Sequence, residues 1–159
     1  MIRSVTASDH DAIWAILEPV IRAGETLAHP RDMRREDALA LWLSPDRTVR
    51  LLEDKGALLG IFYIRPNQGG GGAHVANAGY VTAQWATGRG VARRMCAASL
   101  DLSRELGFTA MQFNFVVSSN VRAVKLWQDM GFEVVGTLPG AFAHPGLGFV
   151  DALVMWRGL

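Results

Sequence analysis

Thr87-Gly88-Arg89-Gly90-Val91-Ala92-Arg93 joins an apolar run of strand character, Val75 to Thr82, to an amphipathic segment that extends to Leu106. A glycine-rich turn at such a junction leaves backbone N–H groups without intrahelical acceptors. The positive end of the helix dipole adds to them, and together they form a ready anion site. Gly88 and Gly90 let the backbone approach a bulky pyrophosphate with no Cβ in the way. Arg89 and Arg93 bring positive charge to the first turn. The stretch implies that the chain holds a phosphate-bearing cofactor.

Working outward, Met1 to Thr6 reads as a short first strand. Ser8 or Asp9 caps a helix to about Arg22, with Ile13, Ile16, Leu17, Val20 and Ile21 on its inner face. Gly24 to Pro30 is irregular, and a second helix spans Arg34 to Leu43 before Ser44-Pro45. Val49 to Glu53 and Leu58 to Arg65 make a hairpin around Asp54-Lys55-Gly56. Asn67 to Gly72, with four consecutive glycines, reads as a loop. Ala73 to Thr82 is a strand, and the helix after the glycine turn carries Val91, Met95, Ala98, Leu102 and Leu106 at helical spacing up to Gly107. Thr109 to Val117 is a strand, and Asn120 to Met130 a helix stopped by Gly131. Phe132 to Val135 and Phe149 to Trp156 are the last strands, joined by a loop around Pro139 to Gly148. The order β-α-α-β-β-β-α-β-α-β-β describes one mixed α/β domain with no linker.

Composition narrows the classes. With 159 residues, half of them hydrophobic, the chain suits one domain with a sizeable core. Net charge is +1, from 16 basic and 15 acidic residues, so no global charge favours nucleic acid. The longest apolar run, Ala57 to Ile64, is too short to cross a bilayer, and the first residues do not resemble a signal peptide. The single cysteine, Cys96, reads as a small apolar helix residue and fits a reducing, cytoplasmic setting. His10, His29, His74 and His144 lack metal-ligand spacing, so no metal is expected. Ser118-Ser119 has no hydrolase elbow, and Gly88 to Ala92 lacks the Lys-Ser/Thr of a P-loop.

The glycine turn and the segment Asn120-Val121-Arg122-Ala123-Val124-Lys125-Leu126-Trp127-Gln128-Asp129-Met130-Gly131-Phe132 together resemble the GNAT superfamily of acyl-CoA-dependent N-acyltransferases. The first is similar to the family's pyrophosphate loop, Arg/Gln-x-x-Gly-x-Gly/Ala, through Gly90 and Ala92. The second matches Asn-x-x-Ala-x-x-Leu-Tyr-x-x-x-Gly-Phe at every position except the tyrosine. Gly24-Glu25-Thr26, Gly136 to Gly140 and Val150 to Met155 are similar to the branch of phosphinothricin-type and amino-acid acetyltransferases. The resemblance implies a single GNAT-like domain over residues 1–159. Its sheet would be mixed and mostly antiparallel, with helices on both faces and a splay between the fourth and fifth strands.

It also implies roles. Acetyl-CoA, as co-substrate, would lie in that splay. Backbone groups of Tyr80, Val81 and Thr82 would pair with the pantetheine arm like an added strand. The N–H groups of Gly88, Arg89, Gly90, Val91, Ala92 and Arg93 would bind the pyrophosphate, and the Asn120 amide the pantetheine. The acceptor would be the amine of a small molecule, an amino acid or analogue, attacking the thioester directly. Relatives are often homodimers, and the apolar C-terminal strand suits such an interface.

Two departures stand out. Thr87 replaces the usual Arg or Gln, leaving Arg89 or Arg93 to supply charge. Trp127 replaces a tyrosine that protonates the leaving thiolate, and an indole N–H is no useful acid near neutral pH. A thiolate whose parent pKa is not far above about 8.5 leaves without strong help. For the general base, relatives carry Glu in the strand where this chain has His74 to Tyr80, a stretch without a carboxylate. His74 and Glu25 are the catalytic candidates, Asn77 is placed to orient an amine or a water, and Asp151 stays open between strand-edge and pocket roles. A protein N-terminal or side-chain acetyltransferase and a non-catalytic acyl-CoA-binding module are the competing readings.

Overall fold

The computed structural model describes residues 1–159. The hairpin expected around Asp54-Lys55-Gly56 joins β2 (Thr48–Asp54) to β3 (Ala57–Pro66). Lys55 and Gly56 both take positive φ, 50° and 80°, the conformation that lets a two-residue turn follow the strand twist. β1 (Ile2–Ser4) pairs antiparallel with β2, and β4 (Val75–Thr82) antiparallel with β3. α3 (Val91–Glu105) then crosses over, and β5 (Ala110–Val117) returns parallel to β4, as a strand–helix–strand connection requires. After α4 (Val121–Asp129), the hairpin of β6 (Glu133–His144) and β7 (Gly148–Gly158) completes a seven-stranded sheet in the order β1-β2-β3-β4-β5-β7-β6.

Adjacent residues of β3 point to opposite faces and show which helices lie where. Tyr63 meets Trp42 at the end of α2 (Arg35–Trp42), with ring centroids 5.2 Å apart. Phe62 stacks beside Tyr80, whose hydroxyl reaches Ser99 on α3. α1 (His10–Ala23) and α2 therefore cover one face, and α3 and α4 the other. Ile13, Ile16, Leu17 and Ile21 of α1 are fully or almost fully buried, and one cluster of 29 buried residues spans both faces.

The parallel pair is short. Val75, Ala76 and Asn77 pair with Ala110, Met111 and Gln112, and there the ladder stops. This is the splay between the fourth and fifth strands. On its other edge β5 pairs with β7 from Ala110 to Val117, with an irregularity between Phe113 and Val116.

Three expectations need correction. Strand β4 starts at Val75 rather than Ala73, because the glycine run ends in a turn over residues 73–74. The stretch after Pro139 is mostly strand, with a register shift between Leu138 and Phe142 that absorbs Pro139 and Gly140 within the ladder. Asp9 stands at the N-cap position of α1, but its carboxylate accepts from the Thr6 N–H at 2.7 Å and from Arg3.

Candidate active site

The turn after β4 is open. Gly88 and Gly90 have φ of 78° and 71°, and a Cβ built at either would meet nothing within 4 Å. The left-handed backbone is what requires glycine here, and it turns the following amides outward. Past Arg89, the first amide to find a backbone acceptor is that of Arg94, bonded to the Gly90 carbonyl at 3.1 Å. The N–H groups of Gly90, Val91, Ala92 and Arg93 thus have no carbonyl partner, as expected of a first helical turn. They border a cavity of about 430 Å³.

The charge around this cavity is cationic. Arg93 lines it and is held by Asp129 of α4 at 3.2 Å. Arg122, in the first turn of α4, lines the opposite wall. The sequence reading missed Arg122, although its position two residues after Asn120 was a usable signal. Arg89 is exposed and does not line the cavity.

A second cleft, about 320 Å³, follows the splay. Asn77 sits at its closed end and is buried. Its Nδ2 donates to the Gln112 carbonyl at 3.0 Å, across the last paired position of β4 and β5. Its Oδ1 accepts from Arg65 Nε at a long 3.4 Å. Opposite Gly79, the Tyr63 ring lies so close that a Cβ would come within 2.5 Å of it. Thr26 and Leu27, from the irregular segment after α1, close the cleft on one side. Asn114 closes another and donates to Asn67 at 2.6 Å, which ties the glycine-run loop to β5.

Asn120, Ala123 and Trp127 line both cavities and so form the passage between them. Asn120 caps α4, its Oδ1 accepting from the Ala123 amide at 3.4 Å. That leaves the Nδ2 group to donate elsewhere. Trp127 packs against Tyr80 and Phe113 at 5.0 and 5.1 Å, so the indole is a wall of the passage. The Tyr80 side chain points into the core, and burial pushes its phenol well above the usual range. Tyr80 lines the cleft and Thr82 the cavity at the glycine turn, while Val81 lines neither.

The structure separates the two acid–base candidates from the cleft. His74 is exposed in the turn before β4, about 10 Å along the strand from Asn77, and lines neither cavity. Glu25 is exposed beside Thr26 and faces solvent rather than the cleft. Asp151 is a strand residue whose Oδ1 accepts from the Gly140 amide at 2.9 Å, pinning the irregular part of β6. The cleft residues missing from the sequence reading are Tyr63, Arg65 and Asn114.

The comparisons agree with this architecture. Residues 12–132 match the Acetyltransferase (GNAT) family. The chain is 31% identical over 112 residues to N-acetyltransferase aca1 of Schizosaccharomyces pombe, covering 70% of this chain and 54% of that one, so it spans about half the relative's length. The structure of a GCN5-related N-acetyltransferase from Kribbella flavida superposes with a TM-score of 0.94 at 40% identity, covering 100% of this chain and 97% of the other. A phosphinothricin acetyltransferase from Sinorhizobium meliloti, solved in complex with AcCoA, shares the fold with a TM-score of 0.86 at 17% identity, covering 100% and 88%. With an open glycine turn at the head of α3, a splayed parallel pair and a match over most of its length, the chain belongs to the acetyltransferase (GNAT) family.

Proposed function

We propose that this chain transfers an acetyl group from acetyl-CoA to the amine of a small molecule by direct attack on the thioester. The carrying observation is the row of unpartnered amides from Gly90 to Arg93, opening on a cavity that shares Asn120, Ala123 and Trp127 with the splay cleft. The pyrophosphate is held by these amides together with Arg93 and Arg122. The pantetheine arm adds to the free edge of β4 at Tyr80, Val81 and Thr82, and the Asn120 amide donates to it. The thioester then lies at the Asn120–Trp127 passage, and the amine meets it from the side of Asn77 and Tyr63. A backbone N–H at Val81 or Thr82 stabilises the oxyanion. Alignment of the two substrates contributes several kcal/mol, about 7–11 in the best-oriented cases. The modest volume of the cleft, about 320 Å³, suits a small acceptor.

The test is isothermal titration with acetyl-CoA, followed by thiol release with a panel of small amines and of peptides. Binding with amine-dependent thiol release supports the reading. Acetylation of peptides alone would turn it to a protein-modifying role. Tight binding with no acceptor would leave only acyl-CoA binding.

A further inference from the structure

The groups around the acceptor end of the cleft have an unusual balance. From β3, Tyr63 and Arg65 face it. From β4 comes Tyr80, whose hydroxyl is turned away to Ser99 Oγ at 2.7 Å. β5 and α4 contribute apolar side chains and the neutral amides of Asn114 and Asn120. Behind β3, the Arg47 guanidinium lies 4.0 Å from the centre of the Tyr63 ring, and the exposed Asp46 is spent on Arg65 at 3.6 Å. On the segment after α1, Glu25 faces solvent, and His29 Nε2 already accepts from Trp42 Nε1 at 3.2 Å. An ammonium entering here meets the Arg65 guanidinium, with Arg47 beyond it against the Tyr63 ring, and no carboxylate lines the cleft. Like charge disfavours the protonated amine.

We propose that the acceptor nitrogen binds as the free base and is acetylated without a protein general base, so that the site selects weakly basic amines: arylamines, hydrazines and α-amino groups of low basicity. This rests on the acyl-transfer reading above. A neutral amine keeps N–H groups to donate to Asn77 Oδ1, which holds only the long bond from Arg65. Its lone pair forms the new C–N bond at the acetyl carbon. The C–S bond breaks with its electron pair going to sulfur, and the proton shed by nitrogen ends on that sulfur, giving amide and CoA thiol.

The experiment measures kcat/KM for thiol release from acetyl-CoA across pH 6–10, with aniline, hydrazine, glycinamide and methylamine as acceptors. Calorimetry on the same protein first establishes that acetyl-CoA binds. The expected result is a rise of about tenfold per pH unit below each amine's own pKa, so that hydrazine and glycinamide inflect within the window, aniline is flat throughout it and methylamine is still rising at its upper end. Recalculated on the free base, kcat/KM becomes independent of pH. The inflections should stay in place in Glu25→Gln, His29→Asn and Tyr63→Phe. A single inflection shared by all amines, or one removed by any of these substitutions, overturns the proposal. So does bound acetyl-CoA that no amine of the panel can discharge. Failure of acetyl-CoA to bind overturns the acyl-transfer reading itself, and the two failures are thereby distinct.

Discussion

At Gly90, a hydrogen in place of a side chain suits the left-handed backbone and leaves open space where the proposed function puts the pyrophosphate. Gly90→Asp forces a residue with a Cβ into φ of 71° and sets a carboxylate where the pyrophosphate charge belongs. Acetyl-CoA binding should disappear in calorimetric titration, while the fold persists. Asn120→Ala should weaken binding by about 1–2 kcal/mol through one lost hydrogen bond, and cost about 1 kcal/mol of stability through the lost cap. Titration and chemical denaturation on the same variant separate the two. Cys96 behaves oppositely to a reactive thiol. It is fully buried on α3, and burial pushes its thiol up to about 11. A thiol reagent at neutral pH should leave it untouched in the folded protein and modify it at once in denaturant.

At the scale of elements, the start of the chain is fastened by charge rather than by apolar area. Arg3 bridges Asp9, ahead of α1, and Glu53 on β2, at 2.8 and 2.6 Å. Its guanidinium and the Thr6 N–H and hydroxyl hold the Asp9 carboxyl well below the usual carboxylate range. A carboxylate whose pKa is lowered on folding stabilises fully above its unfolded value, about 3.9, and loses that contribution as pH falls below it. Arg3→Ala should therefore cost about 2 kcal/mol at neutral pH, with a smaller loss at low pH. Thermal unfolding of both proteins across pH 2–7 tests this. The same network explains why Asp9 was legible as a helix-start residue while its partners were not. The N-cap position is local, but Arg3 reaches Asp9 through a turn and Glu53 through β-pairing 50 residues away.

Across the whole molecule, one core of 29 residues ties both helical layers to one sheet, so a single cooperative unfolding transition is expected. At a concentration one hundred times its dissociation constant, acetyl-CoA should stabilise the native state by about 2.7 kcal/mol and raise Tm by about 5–10 °C. Scanning calorimetry should find that shift in the parent protein and none in Gly90→Asp. No helix is long and apolar enough to cross a membrane.

The order of all eleven main elements, the hairpin at Lys55-Gly56 and the open glycine turn at Gly88 to Arg93 were readable from the chain alone. Each depends on residues close together in sequence: the period of apolar side chains, glycine at positive φ, and the free amides of a first helical turn. The walls of the splay cleft were not readable that way. Tyr63 lines it because its β3 position pairs with Gly79, Asn114 because β5 leaves β4 after one residue pair more than Ala76–Met111, and Arg122 because α4 packs beside the head of α3. His74 lines neither cavity for the same reason, since it lies in the turn before β4 rather than along the splay. Periodicity and turn chemistry act over a few bonds and survive in the bare sequence. The shape of a cleft depends on register between strands far apart in the chain, and that comes into being only when the sheet assembles.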